Sequence, residues 1–238
     1  MTSHRWNKSP FRISIGIAIL LASTLIYSPT AGAFSYNRTA AVNYANTWSL
    51  SYNTVYPVFS SDDCANFVSQ ALTTGGVPWA LGDGDWSNLS NWWDIPATSP
   101  SNVTLIYVLG NQNSNSASLA HGLYDYLNET GVGWQYGSFS YSSGNPAPSE
   151  PNSNIVPGDV FFYNFNGTGA GGISHSSFDV LTSGHDSLNP SFVGTLDDEH
   201  TGTSIIGRKG VFWTLKPEAV HDGDAWQYFT IWYDHIQA

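Results

Sequence analysis

Between residues 37 and 76 apolar side chains recur every three or four positions, the period of a helix buried along one face. In the first such stretch, Asn37 to Leu50, the residues Ala41, Tyr44, Ala45 and Trp48 fall on one side, and Asn37 stands where a capping side chain is wanted. In the second, Cys64, Phe67, Val68, Ala71 and Leu72 follow i, i+3, i+4, i+7, i+8. Ser61 is placed to cap this helix, Asp62 and Asp63 suit the positive end of its dipole, and Gly75-Gly76 ends it. The polar, proline-marked link from Ser51 to Phe59 separates the two. Further on, the β-branched run Val103 to Leu109 predicts a short strand. Ser118 to Asn128 predicts a third helix with Leu119, Leu123, Tyr126 and Leu127 inward and Gly131 as its stop.

Tyr141 to Asn154, with three prolines and many serines, predicts a surface loop, and after it the pattern becomes that of strands. Val156 to Tyr163 is a turn leading into a β-branched and aromatic run, and Gly167 to Gly172 loops to a second run, Ile173 to Leu181, with His175 near its start. Gly184 and Asn189-Pro190 turn the chain into Ser191 to Leu196, which the polar cluster Asp197-Asp198-Glu199-His200-Thr201 is expected to follow. The stretch from Ile205 through Val211-Phe212-Trp213 to Phe229 to Tyr233 supplies further strand-like segments. Helices first and strands afterwards predict an α+β domain.

The amino terminus departs from this order. Arg5, Lys8 and Arg12 precede the apolar run Ile13 to Tyr27, and Ala31-Gly32-Ala33 offers small residues for cleavage, so residues 1–33 read as a signal peptide and 34–238 as a single exported domain beginning at Phe34. The run is too short for a membrane span. Loss of its three basic residues takes the formal charge from −11 to −14, which argues against nucleic acid or anionic membrane as a partner. Localisation is therefore expected to be extracellular, with the cell wall as a possible place of residence.

Export changes the meaning of the single cysteine. One cysteine cannot form an internal disulfide, and outside the cell a merely structural thiol is a liability. Cys64 lies in the first turn of a helix, where unpaired amides and the dipole favour a thiolate nucleophile, while Asp62 and Asp63 oppose it by like-charge repulsion. A histidine is needed to hold the ion pair, and His175, 111 residues on at the start of a strand, is the candidate. A hairpin would return the acidic cluster to its neighbourhood. Asp63 and the tryptophans Trp92 and Trp93, set among polar residues, are candidate substrate contacts, the rings serving either as a lip for a polymer or as cover for the core. His121, His185, His221 and His235 form no ligand set, so no metal and no other cofactor is expected.

Asp63-Cys64-Ala65-Asn66-Phe67-Val68-Ser69-Gln70 with Gly75-Gly76-Val77-Pro78, then Pro157-Gly158-Asp159-Val160 and Ser174-His175, resembles the signature of the putative amidase domain of secreted Gram-positive proteins, a branch of the papain-like cysteine hydrolases. The resemblance spans the chain after the leader. It implies a papain-like fold with N-terminal helices packed on an antiparallel sheet, Cys64 as nucleophile, His175 as general base and then acid, and His200 as the residue that orients it, with Asp197 and Asp198 as rivals. Ser176 and Ser177 stand where the family shows an apolar pair, implying a strand less buried there. The activity implied is hydrolysis of an amide in a peptide or peptidoglycan stem. The other readings to weigh are a binding module for glycan or protein on the same fold and a transglutaminase-like acyltransferase.

Overall fold

The computed structural model describes residues 34–60, 62–142, 155–165, 170–185, 193–201, 205–210 and 228–237. Residues 1–33, 61, 143–154, 166–169, 186–192, 202–204, 211–227 and 238 lie outside the described residues, and with them the expectations made for the leader, the Ser61 cap, the proline-rich stretch after residue 142 and Val211-Phe212-Trp213.

Helix α1, Arg38–Trp48, begins as the sequence implies: the Asn37 side chain accepts a hydrogen bond from the Ala40 amide at 3.0 Å, and Ala41, Tyr44 and Ala45 are buried. Its first residue ties the layers together. Arg38 Nη1 donates to Asp159 Oδ1 at 2.7 Å and its Nη2 to the Ile236 carbonyl at 2.5 Å, joining the helix to the residue just before Val160 and to the strand that ends at Ile236. Helix α2, Cys64–Thr74, is more deeply buried, with every residue from Cys64 to Leu72 inside. At its end Gly76 takes φ +95°, Val77 N–H donates to Leu72 O and Gly76 N–H to Thr73 O. These are the paired bonds of a Schellman stop, and the left-handed residue is Gly76, where a side chain would be strained.

Val103 to Leu109 is a helix rather than a strand. Helix α3, Pro100–Leu109, is capped by the Ser99 hydroxyl, which accepts from Asn102 N at 3.2 Å, carries Pro100 in its first turn and stops at left-handed Gly110. Start and stop chemistry override the β-branched run because none of its side chains is buried, so no sheet face competes for them. The third expected helix is two: α4, Asn115–Ser118, and α5, Ala120–Thr130, broken at extended Leu119, which is exposed rather than inward. Leu123, Tyr126 and Leu127 are buried and left-handed Gly131 ends α5 as expected.

Among the described residues six antiparallel strands follow: β1 Gly133–Ser142, β2 Val160–Asn164, β3 His175–His185, β4 Val193–Thr201, β5 Ile205–Gly210 and β6 Tyr228–Ile236, in the order β1-β6-β2-β3-β4-β5. The protein is thus α+β, helices preceding the sheet in sequence. The cluster Asp197 to Thr201 does not follow β4 but forms its second half, and Ser176 and Ser177 are fully buried despite their polarity. Alternation decides what each face does. Val160, Phe162, Phe178 and Val180 join the core with α2 and α5, while His175, Ser177 and Asp179 look to the other side.

Candidate active site

Helix α2 carries Cys64 as its first residue. Its first intrahelical bond runs from Phe67 N–H to Asp63 O, so the amides of Cys64, Ala65 and Asn66 are not spent on the helix ladder. They point with the positive end of the dipole toward the space beside the sulfur. Asp63 occupies the cap position without capping: its Oδ1 instead accepts from Phe59 N at 3.0 Å and Asn66 Nδ2 at 2.8 Å, closing the turn that delivers Cys64.

The histidine comes from the sheet. His175 is the first residue of β3, opposite Tyr163 of β2, and its ring lies 5.3 Å from the Tyr163 ring and 6.1 Å from that of Phe165. Its Nε2 lies 2.6 Å from Glu199 Oε2, and Cys64 acts on it from the start of α2. Imidazole and carboxylate are both buried. Burial alone would lower the histidine's pKa, but the hydrogen bond and charge of Cys64, and then those of Glu199, outweigh it and push it up to about 10.

His200 does not orient His175. It faces the opposite side of β4, where Nδ1 meets Asp63 Oδ2 at 2.6 Å, Nε2 donates to the Trp48 carbonyl at 2.8 Å, and the ring stacks on Phe67 with centroids 4.1 Å apart. The reason is the pleat: Phe178 pairs with Asp198 and Asp179 with Asp197, so odd-numbered residues of β4 share the face of His175 and even-numbered ones the face of the helices. Asp198 is excluded with His200. Asp197 is on the right face but its Oδ2 accepts from Tyr163 Oη at 2.9 Å, and that phenol also bonds Ser177 at 2.6 Å. Burial, then the charges of Asp197 and Glu199, hold Tyr163 well above its ordinary pKa, so it stays a donor. Glu199 is the residue that sequence reasoning passed over: it lies two positions beyond Asp197, on the face that the Asp179–Asp197 pairing defines.

The proposed substrate contacts fall elsewhere. Trp92 and Trp93 are completely buried; Trp92 Nε1 donates to Ser69 at 3.3 Å and its ring stacks on Tyr126, so these rings cover the core. Asp63 is buried in its bonds to His200, Asn66 and Phe59 and offers nothing to a ligand. Among the described residues there is no cluster of three metal-binding side chains and no helix long and apolar enough to cross a membrane.

Glu199→Gln separates charge from geometry. The amide can still accept from His175, but the imidazolium loses its anionic neighbour, and a hydrogen bond to a charged group contributes about 1.5–3 kcal/mol. The expected result is a fall in kcat/KM of about 10- to 100-fold, with the alkaline limb of the pH profile, set near pH 10 by His175, moved toward neutrality. An unmoved limb would assign the orienting role to another group.

Residues 35–203, a span that holds Cys64, His175 and Glu199, match the family model described as a putative amidase domain. Over 141 residues the chain is 30% identical to the uncharacterized protein YhbB of Bacillus subtilis (strain 168), an alignment covering 58% of this chain and 35% of that protein. The chain therefore matches about a third of the length of that relative. No solved structure matches it. With most of its described residues inside the matched span, the chain belongs to the putative amidase domain family, one described by amide hydrolysis.

Proposed function

We propose that this protein is an exported cysteine hydrolase of papain-like architecture that cleaves an amide bond in a peptide or a peptidoglycan stem. One observation carries the reading: a buried histidine meets a buried carboxylate through Nε2, and its pKa is pushed up to about 10 by the cysteine at the mouth of α2 and by that carboxylate. The Cys64 thiolate attacks the amide carbon, and the oxyanion that forms is stabilised by unspent amides at the start of α2, that of Cys64 first. His175 gives its proton to the departing amine as the C–N bond breaks, leaving a thioester on Cys64. Water then enters, His175 takes its proton, and hydroxide attack releases a carboxylic acid and restores the thiolate. Glu199 holds the imidazole in orientation and supports its charge throughout. Nothing in this cycle calls for a cofactor. Export rests on the basic, apolar and small-residue order of residues 1–33, and the acidic charge leaves uncharged or basic substrate segments as the better partners.

Intact-mass spectrometry of protein recovered from the medium, mixed with peptidoglycan fragments and quenched early, tests both parts. The expected spectrum begins at Phe34 and shows an acyl adduct on Cys64, with products that have gained one water. A retained leader refutes export. Absence of any adduct together with unchanged fragments refutes the hydrolase, and joined fragments without added water would move the reaction to acyl transfer.

A further inference from the structure

We propose a second ligand site, for a neutral glycan, at the β1 edge of the sheet, independent of the Cys64 chemistry. The residues that begin β1 present aromatic surface where most of the protein hides it: Trp134 is 66% exposed and Tyr136 49%. The two alternate positions share one face. Trp134 pairs with His235, and the Tyr136 ring lies 6.1 Å from that of Tyr233 and 6.2 Å from that of His235, giving a continuous platform rather than scattered rings. A bulge between Gln135 and Gly137 sets this platform, and glycine at 137 is required because a Cβ there would meet the Tyr233 ring.

Beside the indole is a depression of about 300 Å³ lined by Asn128, Gly131, Gly133, Trp134, Gln135 and Gln237. At left-handed Gly131 on its lining even a Cβ would meet no atom within 4 Å. The lining is neutral in a chain of net charge −11. Its polar groups are amides held in fixed positions. Asn128 Oδ1 accepts from Gln135 N at 3.0 Å, Asn128 Nδ2 donates to Asp234 at 2.7 Å, and Gln135 Oε1 accepts from Tyr124 Oη at 2.8 Å. Among the described residues these bonds leave Gln135 Nε2 and the Gln237 amide without a partner.

That chemistry selects its ligand. An indole face takes the C–H face of a pyranose, whose hydroxyls at the ring edge need donors and acceptors side by side, as a planar amide supplies. An ionic ligand would find no counter-charge, and a wholly apolar one would strand the amides. From His175 the strand pairing runs through Tyr163 and Ile231 to Phe139, three strands across, and Trp134 lies five residues further along β1. At about 4.8 Å per strand and about 3.3 Å per residue the site is roughly 20 Å from the reacting atoms, far enough to hold a polymer without touching the cleaved bond.

Calorimetric titration of the full-length mature protein with chitotetraose and with cellotetraose tests this. Saturable binding of at least one at or below about 1 mM is expected, weakened at least about tenfold by Trp134→Ala and severalfold by Gln237→Ala. Trp134→Phe, which keeps a ring, is expected to retain most of the affinity, and Cys64→Ser all of it, which keeps failure here distinct from failure of the hydrolase reading. Both tryptophan variants alter an exposed side chain, so melting points should be unchanged. No saturable heat with either saccharide overturns the proposal, as does equal affinity in Trp134→Ala or capture of a proline-rich peptide at this site in place of the saccharides.

Discussion

Substituting Cys64 by serine is expected to lower amide turnover by about four to six orders of magnitude while leaving the unfolding temperature close to that of the wild type. A serine hydroxyl preserves the hydrogen bond to His175 and nearly the volume, so helix α2 and its turn keep their packing. It does not preserve the charge. The imidazole cannot ionise an alcohol at neutral pH as it can a thiol, and without the anion the pair loses both its nucleophile and the largest upward influence on the histidine. The His175 pKa should then fall from about 10, because burial pulls it down and Glu199 alone opposes that. The sign for stability follows. A histidine raised from 6.5 to about 10 on folding contributes stability fully present below pH 6.5 and lost as the pH climbs toward 10. Serine narrows that window, so wild-type stability should decline with rising pH over this range more than the variant's. Urea unfolding at several pH values and NMR titration of His175 check the two parts. Retained turnover, or an imidazole that titrates as before, would remove the thiolate from the mechanism.

The cysteine and the histidine were legible because each sits at a signal that local chemistry writes plainly: a helix start with its stop at Gly75-Gly76, and a strand opening after a glycine-rich loop. The partner of the histidine was not. In Asp197-Asp198-Glu199-His200 every residue is polar, so hydropathy gives no phase, and the phase is what divides the strand's two faces. Only the pairing of Asp179 with Asp197 fixes it, a register that depends on a turn the residue pattern does not specify. The same limit explains α3. Its apolar run has neither helical nor strand period, and with no buried residue the tertiary contacts that would arbitrate are missing, leaving Ser99-Pro100 and Gly110 to decide. Trp92 and Trp93 misled in the opposite direction: polar neighbours in sequence suggested a surface, but Asn91, Asp94 and Asn113 are buried along with them. Asp94 is accommodated there by burial, and then by the nearby Asp63 charge, which hold its carboxyl well above the ordinary range and so favour the neutral acid.

His200→Phe is expected to cost about 3–5 kcal/mol of stability, because two buried acceptors lose their partner at about 1–3 kcal/mol each. Phenylalanine can keep the stack on Phe67, so the loss is not one of volume. What it removes is the group facing Asp63 Oδ2 and the donor to the Trp48 carbonyl, leaving a buried carboxylate without its partner at 2.6 Å. Adding Asp63→Asn should recover part of this, since the amide oxygen can still receive Phe59 N–H and Asn66 Nδ2 while the uncompensated charge disappears. The double variant being more stable than His200→Phe alone is the signature of a pair rather than of two independent side chains. Turnover should fall with the single substitution as well, because Asp63 immediately precedes Cys64 and its bonds fix the turn from which the sulfur is presented. In a domain of this size the stability change corresponds to a melting point lower by about 10 °C or more. Denaturant unfolding of His200→Phe, Asp63→Asn and the double variant measures it, and additivity across them, or a His200→Phe loss under about 1 kcal/mol, would reduce His200 to a packing residue.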